Sequence, residues 1–351
     1  MVTRGIRGRS GGRPTLEEVA AHAGVGRGTV SRVVNGSPSV SAETRAVVEA
    51  AVAELGYVPN RAARALAANR TDAIALVVPE VEARFFAEPY FSEIVRGVGA
   101  ALDDTEMQLL LTIVGNDRER SRLARYLAGH RVDGVLLVSV HADDPLPELL
   151  VQLGIPAVLS GRRSEEEPLA WVDADNVAGA RSAVDHLISR GRRTIATITG
   201  RLDVYGAQCR LDGYRLALAE AGLDGDEDLI APADFTEEGG RRAMADLLER
   251  RPQLDAVFAA SDVMAAGARQ VLRERGRSVP GDVALVGFDD SSIAHHMDPP
   301  LTSVHWSIEE MGREMARVLL KEIAEARPAG PRRAQHRQIM LPTRLIARAS
   351  S

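Results

Sequence analysis

Residues 15–36 read TLEEVAAHAGVGRGTVSRVVNG. Thr15 is placed to cap a helix, and Glu18 follows at the spacing at which cap and third residue exchange hydrogen bonds. Leu16, Val19, Ala20 and Ala23 then recur at helical spacing and make one apolar stripe. Gly24, without a Cβ, can take the left-handed conformation that ends a helix. Val25 is the apolar residue of the turn, and a second short helix runs through Thr29, Val30, Val33 and Val34 to Asn35-Gly36. Two short helices joined by a glycine turn with a buried valine follow the helix-turn-helix plan, whose second helix enters the major groove of DNA. The plainer alternative is an ordinary surface hairpin of helices. A third segment, residues 41–55, opens with Ser41 and Thr44 and carries Val47, Val48, Ala51, Val52 and Leu55, enough to close a three-helix globule.

Charge decides between the two readings. The whole chain of 351 residues carries a formal net charge of −6, unusual for a DNA binder. Yet residues 1–70 hold ten Arg and five Glu, a net +5, which leaves −11 for the remaining 281 residues. Such asymmetry means that one part meets a polyanion and the other does not. Residues 1–13, with Arg4, Arg7, Arg9 and Arg13 among Gly and Ser, read as a disordered basic arm. The second helix would present Arg27, Thr29, Ser31 and Arg32, with Thr15 and Asn35 at the edges of the motif. Arg can donate two hydrogen bonds to guanine O6 and N7, while hydroxyls reach phosphates or base edges.

Next comes GYVPNRAARALAANRT, residues 56–71. Pro59 is placed to start a helix, the alanines favour one, and a segment this short is marginal alone. This string and the opening one closely resemble the lactose-repressor/galactose-repressor family of bacterial transcription regulators. In that family Tyr-x-Pro-Asn-x-x-Ala-x-x-Leu forms a hinge helix that orders on operator DNA, and Tyr57, Pro59, Asn60, Ala63 and Leu66 match it. The resemblance makes Leu66 the apolar wedge pressed between base pairs from the minor groove. One departure is Gly26 where relatives usually carry a capping Ser, and Gly28 removes a side chain where relatives often touch bases.

From residue 72 on, β-branched runs alternate with amphipathic helical stretches. AIALVVP (73–79), MQLLLTIV (107–114), DGVLLVSV (133–140), IPAVLSG (155–161), TIATITG (194–200), LDAVFAAS (254–261) and DVALVGFDD (282–290) read as buried parallel strands. Helical periods fill the gaps, as in residues 211–221 and 309–323. The expected class is α/β: an N-terminal all-α helix-turn-helix domain (14–58), a hinge helix or linker (59–71), and two doubly wound parallel-sheet lobes (72–351). The resemblance, which spans essentially the whole chain, implies lobes of periplasmic-binding-protein type, crossed three times by the chain. It places lobe 1 at about 72–174 and 304–335 and lobe 2 at about 175–303 and 336–349.

Ligands of such sheets sit at the carboxyl ends of the strands. Ser261 and Asp262 follow AVFAA, Asp289 and Asp290 follow VALVGF, Arg162 follows IPAVLSG, Phe235 ends the strand before TEEGGRR, and Trp306 lies in LTSVHW. By resemblance Arg210 is the arginine that holds the effector and Asp289 its paired aspartate. Ser261 and Asp262 match the usual Asn/Ser-Asp pair, while Asp262 equally suits the cap of the next helix. Phe235 and Trp306 fall where relatives place an aromatic wall and a polar ligand residue. Phe85, Phe86 and Tyr90 belong to the cleft-bordering loop EVEARFFAEPYF. Carboxylates and a guanidinium take vicinal hydroxyls in pairs, and aromatic faces stack on a pyranose. The strings RFFAEPYFSEIVRGV, DGVLLVSVH and RLDGYRLALAEAGL resemble an actinobacterial branch that includes regulators of cellobiose and cello-oligosaccharide use.

Other classes fare worse. Adjacent acids such as Asp289-Asp290 or Glu165-Glu166-Glu167 do not face each other across a scissile bond. No nucleophile elbow, Walker loop or dinucleotide fingerprint follows a strand, so no enzyme and no cofactor is expected. His295-His296 point apart on a helix, lack further ligands at metal spacing, and predict no metal site. The first thirty residues hold no apolar signal segment, and no run of eighteen apolar residues occurs, which argues against a secreted solute-binding protein and against membrane contact. The single cysteine, Cys209, fits a reducing cytoplasm. The expected molecule is a cytoplasmic homodimer on pseudo-palindromic double-stranded operator DNA, a repressor released by a small sugar. No heptad segment follows LPTRLIARASS, so the tetramer tail of some relatives is not expected. The alternatives are a regulator co-repressed by a purine-like ligand, and a sugar-binding protein without DNA function.

Overall fold

The computed structural model describes residues 14–34, 37, 39–58, 70–223, 225–326 and 337–351. The basic arm, the hinge segment 59–69 with Asn60, Ala63 and Leu66, and Asn35 lie outside the described residues. The chain divides into two compact units, residues 1–72 and 73–351.

The first unit has three helices, α1 (Leu16–Ala23), α2 (Arg27–Val34) and α3 (Ala42–Leu55). The capping box forms as the spacing requires: Glu18 N–H donates to Thr15 Oγ1 at 3.3 Å, and Thr15 N–H donates to Glu18 Oε2 at 2.7 Å. Gly24 and Gly56 end α1 and α3 at φ 64° and 62°, conformations that L side chains rarely adopt. Val19, Ala20, Val30, Val33, Val48, Ala51 and Tyr57 form the small core, whereas Val47 stands out of it, 47% exposed. Tyr57 was expected at the DNA surface. Its ring instead packs inside the globule, because the left-handed turn at Gly56 folds the chain back onto the helices.

The second unit contains two six-stranded sheets. The first holds β1 (Ala73–Val78), β2 (Gln108–Ile113), β3 (Gly134–Leu137), β4 (Ala157–Ser160), β5 (Ala170–Ala174) and β11 (Gln338–Leu341). Its order is β11-β5-β4-β3-β1-β2, all parallel. The second holds β6 (Ile195–Thr199), β7 (Ile230–Pro232), β8 (Ala256–Ala259), β9 (Ala284–Asp289), β10 (Thr302–His305) and β12 (Arg344–Ile346). Its order is β12-β10-β9-β8-β6-β7, with only β12 antiparallel. The expected lobe boundary at 336–349 needs correction. Residues 338–341 pair with β5 in the first sheet, and only 344–346 join the second, since residues 342–343 make the last crossing. Four strands, β5, β10, β11 and β12, escaped the sequence reading, the edge strands β11 and β12 because three or four residues carry little periodicity, and the strand read as ending at Phe235 stops at Pro232.

Helices α4 (Glu82–Ala87), α5 (Pro89–Leu102), α6 (Asp117–Ala128), α7 (Leu146–Leu153) and α13 (Ile308–Glu325) belong to the first lobe. The second has α8 (Asn176–Ser189), α9 (Tyr205–Glu220), α10 (Glu237–Arg250), α11 (Asp262–Glu274) and α12 (Ser292–His296). Alternation along each strand divides the core between the sheet faces. Ile74, Leu76 and Val78 of β1 join a cluster with α5 and α13, while Ala75 and Val77 face Leu123, Leu127 and Leu150 of α6 and α7. The first cluster runs on into the second lobe through Tyr214, Phe258 and Phe288. The close approach of α5 to α13 depends on Gly97 and Gly312. A Cβ at Gly97 would collide with the Glu309 backbone, and one at Gly312 with that of Ile94. Overpacking of this kind cannot be relieved by a rotamer change. Gly97→Ala is therefore expected to cost about 1–3 kcal/mol, read as a lower urea midpoint, while Gly99→Ala, whose Cβ meets nothing, should keep or raise the midpoint, as Ala for Gly does inside a helix.

Candidate functional site

The carboxyl ends of the two sheets enclose a cavity of about 940 Å³, its opening to solvent included. Seven of the ten residues expected at the effector site line it: Tyr90, Arg162, Arg210, Phe235, Ser261, Asp289 and Trp306. They come from strand ends and from the loops and helices that follow them, where an open α/β sheet exposes side chains to a ligand.

Arg210, on α9, is the hub. Its Nε donates to Asn176 Oδ1 at 2.8 Å, its Nη1 donates to the Ala260 carbonyl beyond β8, and the same nitrogen lies 3.5 Å from Asp289 Oδ1. The guanidinium carbon sits 3.7 Å over the Phe288 ring. Trp306 Nε1 donates to Asp289 Oδ1 at 3.1 Å, so one carboxylate joins the cation to the indole. Asp289 occupies φ 105° and Asp290 φ 52°, backbone strain of the kind found at functional sites. Burial pushes the Asp289 carboxyl above its usual range against the pull of Arg210, and it pushes the Arg210 guanidinium down.

Aromatic surfaces complete the cavity. Tyr90 hydroxyl and Ser160 Oγ are 2.5 Å apart, and the Tyr90 and Trp306 ring centroids are 6.2 Å apart at an interplanar angle of 42°. Burial raises the Tyr90 phenol to about 12, so it stays a hydroxyl donor at neutral pH. Phe235 stands at φ 64°, three residues beyond β7 and not at a strand end as expected, with its ring against Gly200. Arg84 crosses from the first lobe to lie 5.4 Å over that ring. Arg162 is held between Trp171 and Tyr205 at 5.0 and 5.3 Å, with Asp173 Oδ2 3.5 Å from its Nε.

Three expected residues do not reach the cavity. Phe85 is buried against Phe91, 5.4 Å between centroids, because it faces the core side of α4. Phe86, next to it on that short helix, points outward and is 78% exposed. Asp262 is fully buried beneath the cavity, where it accepts from Ser303 Oγ at 2.6 Å and from Ser291 N–H at 2.7 Å. It ties the ends of β9 and β10 to the start of α11, and burial with the neighbouring Asp289 carboxylate holds its own carboxyl well above the usual range. The cap of α11 is Ser261, whose Oγ accepts from Met264 N–H at 3.3 Å.

The sequence reading missed Asn176, Asp173, Glu88 and Arg84, all of which line the cavity. Burial raises Asp173 to about 6 and Glu88 to about 7. Asp173 lies within β5 (AWVDA), a stretch not read as a strand, and Asn176 opens the helix that follows it. Glu88 and Arg84 share the loop EVEARFFAEPYF, where aromatics drew the attention. Among the described residues, no group of three His, Cys, Asp or Glu is placed to hold a metal ion, and no helix is long and apolar enough to cross a membrane.

On α2, Arg27 and Arg32 are exposed and Thr29 and Ser31 half-buried, while Thr15 is exposed at the start of α1. Arg27 Nε lies 3.0 Å from Glu17 Oε1, and Arg32 Nε donates to the Gly28 carbonyl at 3.1 Å. Both arginines thus rest on weak surface partners that a phosphate or guanine can replace. Space beside Gly26 and Gly28 is open, so the recognition face is flatter there than a side chain would make it.

Comparison with known proteins agrees with this architecture. Residues 15–60 match the model for "Bacterial regulatory proteins, lacI family", and residues 184–351 match that for a periplasmic binding protein-like domain. The chain is 54% identical over 313 residues to the HTH-type transcriptional regulator CelR of Thermobifida fusca, covering 89% of this chain and 92% of that one. It is 35% identical to the ribose operon repressor of Escherichia coli, over 89% and 93% of the two chains. Among solved structures, a CelR–cellobiose complex matches with a TM-score of 0.76 at 50% identity, over 97% of this chain and all of that one. A lac repressor dimer bound to operator and an anti-inducer matches at 0.81 and 27%, over 97% and 99%. With its helix-turn-helix, its two lobes and these relatives, the chain belongs to the lacI family of bacterial regulatory proteins.

Proposed function

We propose that this protein is a homodimeric, operator-binding transcriptional repressor, without catalytic activity and resident in the cytoplasm, whose grip on DNA is released by a β-linked glucose disaccharide. The observation that carries the effector class is the junction of Arg210, Asp289 and Trp306 under a cavity walled by Tyr90 and Phe235. A buried cation–carboxylate pair offers a donor and an acceptor to neighbouring hydroxyls, and the rings offer flat apolar faces to the sugar's C–H surface. The 54% identity to a regulator whose namesake is solved with cellobiose supports a disaccharide over a single ring. Two basic helix-turn-helix units on a two-fold axis fit the half-sites of a pseudo-palindrome. Effector binding changes DNA affinity only so far as the two lobe arrangements bind the effector differently.

Titration calorimetry with cellobiose, glucose, ribose and a purine base tests the effector. A saturable heat with cellobiose alone is expected, and Arg210→Ala or Asp289→Ala should weaken it by about 30-fold or more, as when one partner of a buried charged pair is removed. A heat with the purine and none with saccharides would replace the sugar by a co-repressor. For the DNA unit, fragments selected from genomic DNA by the full chain supply the operator. Arg32→Ala is expected to reduce the slope of log affinity against log salt by about one if it neutralises a single phosphate. Cellobiose should raise the apparent dissociation constant of the wild type in the same fluorescence anisotropy assay; tightening would reverse the sign of regulation.

A further inference from the structure

We propose that His141 is a latch between the lobes that shuts the outer end of the effector cavity and so limits the length of saccharide the closed protein encloses. The inference rests on the cavity being the effector site. Glu80 and His141 follow β1 and β3 in the first lobe, and Asp203 lies in the loop after β6 in the second. His141 Nε2 is 3.1 Å from Glu80 Oε1, and its Nδ1 is 3.1 Å from Asp203 Oδ2. The next residue repeats the bridge in the backbone, where Ala142 N–H donates to the Asp203 carbonyl at 2.9 Å. Both carboxylates are braced from their own lobes. Ser139 Oγ donates to Glu80 at 2.7 Å and Arg84 pairs with it, while Arg201 Nε donates to Asp203 Oδ1 at 3.0 Å.

The bar is also a partition. Ser139, Val140 and Val204, its sequence neighbours, line the effector cavity. Glu80, His141, Arg201 and Asp203 themselves line a second, polar pocket of about 980 Å³, its opening included. A saccharide longer than the inner cavity must therefore displace the bar to continue into the outer pocket.

A neutral imidazole donates from one nitrogen only, so both bonds form together only in the imidazolium. The groups facing the ring favour that form. Glu80 with Arg84 behind it comes from the end of β1 and α4, and Asp203 with Arg201 from the second lobe. Asp143 and Asp144 follow in the chain, and Asp117 and Arg120 of α6 line the same outer pocket. The Glu80 hydrogen bond is the main cause that holds His141 above its ordinary range, against burial and Arg201. A raised histidine pKa gives a contact that is complete below about 6.5 and is lost as pH climbs through the raised value.

Two readouts on the full chain test the latch. Hydrogen–deuterium exchange of the peptide bearing Ala142, without ligand and corrected for intrinsic rates, should show protection at pH 6 that falls about tenfold by pH 8.5, the size expected of one charged hydrogen bond. His141→Gln and Asp203→Asn should show the lower protection at both pH values. Equal protection in wild type and variants at pH 6 would overturn the latch even if no saccharide binds. Calorimetry then compares cellobiose with cellotetraose. The wild type should prefer cellobiose, and His141→Ala should shrink that preference about tenfold through tighter cellotetraose binding. An unchanged preference in a variant whose exchange shows the bar open would overturn the length limit. Absence of heat with either sugar is a failure of the effector reading, and leaves the exchange result to decide the latch.

Discussion

A guanidinium held away from water between two lobes sets the terms for everything around it. Arg210 is 9% exposed, and a buried cation is tolerated only when every donor has a partner and a counter-charge is near. Those partners come from three separate segments: Asn176 at the start of α8, the Ala260 carbonyl after β8, and the end of β9, which supplies both Asp289 and the Phe288 ring. The requirement fixes the carboxyl ends of the second sheet relative to one another. It also explains why Asp289 persists at φ 105°: the carboxylate must reach the cation and the Trp306 indole together. Removing the cation would leave Asp289 and the buried Asp262 facing each other unneutralised, as the raised pKa of each already signals.

The same charge logic carries outward to the lobe contacts, where the pairs are strong enough to hold the cleft and few enough to let it open. On one edge Arg84 is shared between Glu80, Glu88 and the Phe235 ring of the opposite lobe. On the other, the Tyr205 hydroxyl donates to Glu165 at 2.6 Å and its ring receives Arg162. None of these joins two large apolar surfaces across the cleft. A cleft lined by hydrophobic residues would close permanently, whereas polar pairs exchange with water at small net cost. The effector proposed above would add its own hydrogen bonds to this balance and shift it only so far as it binds one lobe arrangement better than the other.

Much of this was legible in the sequence because it depends on local rules. The capping box at Thr15 and Glu18, the left-handed glycines and the seven strands given ranges from the sequence all formed where spacing placed them. The cavity residues at strand ends were legible for a topological reason, since a parallel sheet can present a ligand only at that edge. What escaped depends on direction or distance in sequence. Phe85 and Phe86 are neighbours on a short helix, so one is core and the other solvent, and no local pattern says which. Tyr57 matched a motif read for DNA contact, yet the turn at Gly56 commits its ring to the core. Asn176 supports Arg210 across thirty-four positions, and His141 reaches Asp203 across sixty-two. Pairings of that range become visible only once the two sheets are set opposite each other.

The division of charge gives the regulatory scheme its sensitivity. Affinity for a polyanion rises steeply with the number of phosphates neutralised together, and here the first seventy residues carry a net +5 while the remainder carries a net −11. A body of that sign gains nothing from DNA and opposes its own retention there. In the proposed dimer tight binding would come from two basic units acting at once on adjacent half-sites, where the second contact benefits from a high effective concentration. That benefit is geometric and disappears if the two units can no longer engage together. An effector that alters the lobe arrangement therefore need not touch a single arginine–phosphate contact to loosen the complex. A modest free-energy difference at the Arg210 cavity is amplified because the acidic body offers no second mode of attachment.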